Sequence, residues 1–316
     1  MSWQMRAVGV ALRLTRKRRM STAARARKRL SEPKADPTPP RRFRERHDVR
    51  QSEVGGFRVY CVEPEGPPVS TVVYLHGGTY LSEIAPQHWA LVSAAVDAGC
   101  RVVVPIYGLA PDHTCDDAYA FLLPLCRELA DEAGALRRRW HVPPSPEPGS
   151  ESESEPPTGA PLVLAGDSAG GGLALGLARV LADEGVAVAR LALVAPWVDA
   201  TLTNPDIDRV DDPWLSTPGA REVARVWMAG GDLRDPRVSP LLGRLEGLPP
   251  LDVWIGTRDS IHPDVVLLVE RCRAVGTPVR LHEAQGAVHV HPLTPTPEGR
   301  VGAREVVAAL AGSDTA

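Results

Sequence analysis

From about residue 56 onward, apolar positions fall into short runs with a period of two or no interruption. Between these runs lie longer stretches in which the apolar period is near 3.6. Phe57-Arg-Val-Tyr-Cys-Val62 alternates and turns at Glu63–Pro68. Thr71-Val-Val-Tyr-Leu75 is uninterrupted, as expected of a strand buried on both faces, and breaks at His76-Gly77-Gly78. A helix is expected from about Pro86, with Trp89, Val92 and Val96 on one face. Arg101–Pro105 reads as a strand, and Asp116–Arg127 as a helix open to extension toward Trp140, with Asp116 as its N-cap. Leu162-Val-Leu-Ala-Gly166 is a strand that turns at Asp167-Ser168 and leaves as an Ala/Leu helix. Strands at Leu191–Ala195, Leu251–Ile255 and Val279–His282, with helices over Pro263–Val275 and Gly299–Leu310, complete the alternation. The pattern predicts an α/β fold, a mostly parallel sheet with helices on both faces.

Three stretches break this rhythm. Pro143–Gly159 is Pro, Ser, Glu and Gly with nothing apolar to bury, and reads as a disordered acidic surface loop. Residues 197–232 lose strand periodicity and hold Trp197, Trp214 and Trp227, the natural place for an inserted cap. Residues 1–50 carry 16 Lys/Arg against 4 Asp/Glu, while the body, 51–316, is acidic. Met5, Val8 and Leu12 stand at helical spacing among these arginines. Three readings of the basic segment remain open: part of a cap over the site, a peripheral contact with an anionic membrane or nucleic acid, or an organelle transit segment.

Five cysteines without paired spacing point to buried thiols and a cytoplasmic setting. No Cys/His spacing suggests a metal, no Gly-rich turn matches a phosphate-binding motif, and no cofactor is called for. Nucleic acid is not expected as a partner, and the pattern does not address oligomeric state.

Candidate chemistry centres on Gly166-Asp-Ser168-Ala-Gly170, a G-x-S-x-G match placed between a strand and a helix, the setting of a nucleophile elbow. A serine hydroxyl needs a base to take its proton and an acid to orient that base. Asp259 follows one later strand and His289 the next, so both emerge at the sheet edge where Ser168 sits. Asp252 and His282 lie within strands, Asp264 reads as ordinary charge at a helix start, and His291 is the rival base. The oxyanion formed on attack needs amide donors. Ala169 supplies one, and the turn at Gly77 and Gly78 supplies others, with His76 as a structural brace.

Taken together, His76-Gly77-Gly78, Leu109-Ala-Pro-Asp-His113, Gly166-Asp-Ser-Ala-Gly-Gly171, Gly256-Thr-Arg-Asp259 and Gly286-Ala-Val-His289 resemble the hormone-sensitive-lipase-like esterases of the α/β-hydrolase fold, from about Thr71 to Arg300. The resemblance implies Ser168, Asp259 and His289 as the triad, Gly77, Gly78 and Ala169 as oxyanion donors, and a cap built from the N-terminal segment and residues 197–232. Thr79 replaces the family's third glycine, Gly108 an arginine, and His291 an aromatic. The expected activity is hydrolysis of small-molecule carboxylic esters with short to medium acyl chains. The alternatives are a deacetylase or amidase of an acetylated natural product or sterol, and a hydrolase-like protein that binds a small ligand without turnover.

Overall fold

A computed structural model describes residues 1–139 and 160–313, so the expected acidic loop at 143–159 lies outside the described residues. Two N-terminal helices, α1 (Trp3–Thr15) and α2 (Ala23–Leu30), are joined by a 3-10 turn at Lys17–Met20. A short α3 (Arg41–Arg46) leads into β1 (Val49–Val54) and β2 (Phe57–Val62). Then come β3 (Ser70–Leu75), α4 (Pro86–Asp97), β4 (Cys100–Pro105), α5 (Cys115–Arg139), β5 (Leu162–Asp167), α6 (Ser168–Asp183) and β6 (Arg190–Val194). The insertion after β6 carries α7 (Thr217–Trp227) and precedes β7 (Leu251–Arg258), α8 (His262–Ala274), β8 (Val279–Val288) and α9 (Pro297–Leu310).

These strands form a single sheet in the order β1-β2-β4-β3-β5-β6-β7-β8. β2 runs antiparallel to both β1 and β4, and every later pairing is parallel. β3 and β5 are buried at all six positions because helices cover both faces, which explains their uninterrupted apolar runs. The predicted α/β architecture is the one observed.

The differences have local causes. β1 has exposed residues at 50–53, so an edge strand leaves little apolar alternation to read. β7 and β8 are longer than expected, pairing as far as Arg258 and Val288, with the outward positions Glu283 and Gln285 polar. Asp116 is not the N-cap of α5. Thr114 Oγ1 accepts the Asp117 amide at 3.3 Å while the Asp117 carboxylate accepts the Thr114 amide at 2.8 Å, a reciprocal capping box.

The basic N-terminal segment folds onto the body. Ser2 Oγ caps α1 through the Met5 amide at 3.1 Å and donates to Glu298 of α9 at 2.7 Å. Met5 is buried against Ala287 and Val288, immediately before His289. Ala26 and Leu30 of α2 enter the main core, and α2 packs along α7, where Arg27 meets Glu222 at 2.6 Å. Burying a side chain such as Met5 or Leu30 is worth about 1.5–3 kcal/mol, enough to hold a short helix in place. None of the five cysteines is in a disulfide, and four are buried.

Candidate active site

β5 ends at Asp167 and α6 begins at Ser168 without an intervening loop, so the chain reverses direction in a single residue. Ser168 takes φ +51°, in the left-handed region that non-glycine residues rarely adopt. The flanking glycines are required by close approach: an added Cβ would stand 2.6 Å from Leu75 O at Gly166 and 2.1 Å at Gly170. This turn holds the serine side chain at the C-terminal edge of the sheet, as in a nucleophile elbow.

Asp259, just past β7, and His289, just past β8, meet that serine. His289 Nε2 lies 2.9 Å from Ser168 Oγ, and His289 Nδ1 lies 2.6 Å from Asp259 Oδ2. All three residues are buried. Asp259 Oδ1 also accepts the Ile261 amide at 3.2 Å, and Trp214 from the insertion stands edge-on to the His289 ring at 5.6 Å. Burial alone would pull His289 down, but the charge and hydrogen bond of Asp259 outweigh it and leave the imidazole above its usual value. Burial pushes the Asp259 carboxyl up, with His289 working against it.

The glycine turn after β3 departs from expectation in one donor. The Gly77 amide is directed to Asp167 Oδ1 at 2.9 Å and so is not free for substrate. The amides of Gly78 and Thr79 make no such bond among the described residues, and both residues line the cleft beside Ser168. Ala169, in the first turn of α6, has no intrahelical acceptor for its amide. Among the described residues the amides of Gly78, Thr79 and Ala169 are thus unengaged. Asp167 also accepts the Tyr74 hydroxyl at 2.7 Å and faces His88 Nε2 at 3.4 Å. Burial would raise this carboxyl, but His88, Tyr74 and the Gly77 amide together hold it below its usual range. His76 braces the turn: its Nδ1 lies 2.8 Å from Gly77 O, its ring stacks on Tyr107, and Tyr107 OH donates to His76 O at 2.7 Å. Burial lowers His76 to about 4, so it is neutral.

The rival groups are committed elsewhere. Asp252 pairs with Arg190 at 2.7 Å, Arg280 at 2.8 Å and His282 at 3.2 Å. His291 packs against Gly302 of α9, lines neither chamber beside Ser168, and is lowered to about 4 by burial. Asp264, expected as ordinary terminal charge, is instead buried with Asn204 Nδ2 at 2.9 Å, and burial raises its carboxyl to about 6.

Ser168 opens onto two chambers. One, of about 160 Å³, is bounded by His289, His88, Glu83, Trp214 and, from the N-terminal segment, Arg16 and Arg29. The other, of about 20 Å³, is bounded by Thr79, Trp197, Leu202, Leu215 and Ile261. Sequence reading missed the Asp167–Tyr74–His88 network and the two arginines. A tyrosine inside an otherwise aliphatic buried strand was the available sign of the first. The second had none, because those arginines belong to a long basic run.

Residues 72–293 match the α/β hydrolase fold family, and the chain belongs to it. An acetyl-hydrolase of Streptomyces hygroscopicus is 31% identical over 254 residues, covering 78% of this chain and 77% of that protein. The esterase LipI of Mycobacterium tuberculosis is 28% identical, covering 74% of this chain and 70% of that one. The crystal structure of a hormone-sensitive lipase from a metagenome library has the same fold, with a TM-score of 0.76 at 20% identity over 99% of this chain and all of that one. Among the described residues no helix is long and apolar enough to cross a membrane.

Proposed function

We propose that the protein is a serine hydrolase of small carboxylic esters, with Ser168 as nucleophile, His289 as general base and Asp259 as its orienting acid. The observation that carries this reading is the continuous hydrogen-bonded line Ser168–His289–Asp259, at 2.9 and 2.6 Å, beside unengaged amides. His289 takes the proton of Ser168 Oγ as it attacks the acyl carbonyl. The amides of Gly78, Thr79 and Ala169 receive the oxyanion, each worth about 3–4 kcal/mol in the transition state. His289 then protonates the leaving oxygen and later activates the water that frees the acyl group. The small chamber holds about one to two water-sized groups, which favours acetyl-sized acyl chains over longer ones. The relative named an acetyl-hydrolase is consistent with this size.

Hydrolysis of p-nitrophenyl acetate by the wild type and by Ser168→Ala is the test. Equal rates in the two would overturn the assignment, and inactivity of the wild type with retained ligand binding would favour a non-catalytic role.

In this reading α1, α2 and residues 197–232 form the cap. The outer side of α1 supports a second role. Trp3, Val10 and Leu14 form an exposed apolar stripe at i, i+7 and i+11, beside Arg6 and Arg13, a pattern suited to the surface of an anionic membrane. Co-sedimentation with phosphatidylglycerol vesicles that is lost in Trp3→Ala/Leu14→Ser would support it. Unchanged sedimentation, or a concentration-dependent dimer, would exclude it.

A further inference from the structure

The two chambers beside Ser168 differ in charge as well as size. Whichever group leaves the tetrahedral adduct takes a proton from His289 Nε2, and His289 lines the larger chamber but not the smaller. Among the described residues no charged side chain lines the small chamber. The leaving group therefore belongs in the large chamber and the acyl group in the small one.

Arg29, in the last turn of α2, lines the large chamber with its side chain only 20% exposed. Its Nε has no hydrogen-bond partner among the described residues. Its ion pair with Glu32, at 3.7 Å, is longer than a hydrogen bond. Arg16 lines the same chamber, and both Arg16 and Arg19 lie near enough to repel the Arg29 charge. Arg16 has no carboxylate partner among the described residues. A half-buried guanidinium whose Nε has no hydrogen-bond acceptor and whose ion pair is long is unfavourable unless something supplies an acceptor. The described acids of this chamber do not do so: Asp167 is held by Tyr74 and the Gly77 amide, and the Glu83 carboxyl faces His76, its Oε2 without a hydrogen-bond partner among the described residues. Planar guanidinium groups match the paired oxygens of carboxylates and phosphates.

We infer that the large chamber is an anion-recognising subsite for the leaving group. The preferred substrates are short-chain acyl esters whose alcohol portion carries a carboxylate or phosphoryl group, held by Arg29 and Arg16. This rests on the serine-hydrolase reading above. Attack of Ser168 Oγ breaks the bond between acyl carbon and ester oxygen. The ester oxygen takes the proton from His289 and departs as a hydroxy acid or hydroxy phosphoryl compound. Water then breaks the acyl–serine bond, releasing the acyl group as its carboxylate with one proton.

The test uses the full chain and three acetates of one benzyl alcohol framework: 4-(acetoxymethyl)benzoate, 4-(acetoxymethyl)benzylphosphonate and the neutral 4-(acetoxymethyl)benzamide, with acetate release followed. At low salt, kcat/KM for at least one anionic ester should exceed that for the benzamide by on the order of tenfold, carried mainly by KM and shrinking as salt is added. Arg29→Met and Arg16→Met should each lower that ratio, and Arg29→Lys should keep part of it. Arg16 is exposed, so its substitution reads the subsite without disturbing the packing of α2. The order of the two anionic esters separates carboxylate from phosphoryl recognition. Equal values for all three esters, or an unchanged ratio in the Arg16→Met/Arg29→Met double variant, would overturn the proposal. If p-nitrophenyl acetate is hydrolysed through Ser168 but anions are not preferred, only this inference falls. If the wild type does not hydrolyse it, both fall.

Discussion

Asp167, the residue before the nucleophile, accepts the Gly77 amide at 2.9 Å and so ties the glycine turn to the elbow. Ser168 and the unengaged amides of Gly78 and Thr79 come from strands β5 and β3, and this contact fixes their relative position. Positioning errors of this kind reduce turnover more than binding. Asp167→Asn offers a single carbonyl oxygen where the carboxylate serves Tyr74, Gly77 and His88. Steady-state kinetics with p-nitrophenyl acetate should show kcat reduced about tenfold or more with a smaller change in KM.

The proposed triad predicts a pH profile with a direction. His289 must be neutral to accept the serine proton, and Asp259 holds it above the ordinary histidine value of 6.5. kcat/KM should therefore fall on the acid side around a midpoint above 6.5. Asp259→Asn removes the charge that raises the imidazole, so the midpoint should move to lower pH while the rate drops on the order of 10³–10⁴-fold. A midpoint unmoved by this substitution would assign the limb to another group.

Chamber size predicts an acyl-length series. Rates on p-nitrophenyl esters should fall from acetyl to butyryl to hexanoyl, because the small chamber of about 20 Å³ lacks room for further methylenes. Leu215→Ala and Ile261→Ala each remove part of its wall and should shift the preference toward butyryl. A flat series in the wild type would show that the acyl chain lies elsewhere.

Asp264 predicts a stability change with pH. Its folded value of about 6 lies above the ordinary 3.8, so the folded state favours the protonated form. The resulting stabilisation is present below about 4, is lost as pH rises through about 6, and amounts to about 3 kcal/mol. Asp264→Asn retains an acceptor for Asn204 and does not ionise. Urea denaturation should show this variant more stable than the wild type at pH 7.5, with the difference shrinking toward pH 4.5.

Much of the site was readable before folding, because each part carries a local constraint. Gly166, Ser168 and Gly170 mark the elbow, since the turn leaves no room for a Cβ at the flanking positions. Asp259 and His289 follow strands whose apolar runs announce them, so a parallel sheet has to bring them to one edge. The partition of donors in the glycine turn is different. Nothing in His76-Gly77-Gly78-Thr79 says that Asp167, ninety residues away, takes the amide of Gly77.

The sequence by itself determined the fold class and singled out Ser168, His289 and Asp259 as candidates for nucleophile, base and acid, because these depend on periodicity and chain order. Tertiary structure alone decided where charge stands around them. Arg16 and Arg29 are two among the many arginines of one basic run, and only the folding of α1, the Lys17–Met20 turn and α2 onto the body brings these two to the wall of the chamber beside Ser168. Asp264 and His291 become buried for the same reason: a side chain's environment comes from the elements that pack over it, which its sequence neighbours do not encode.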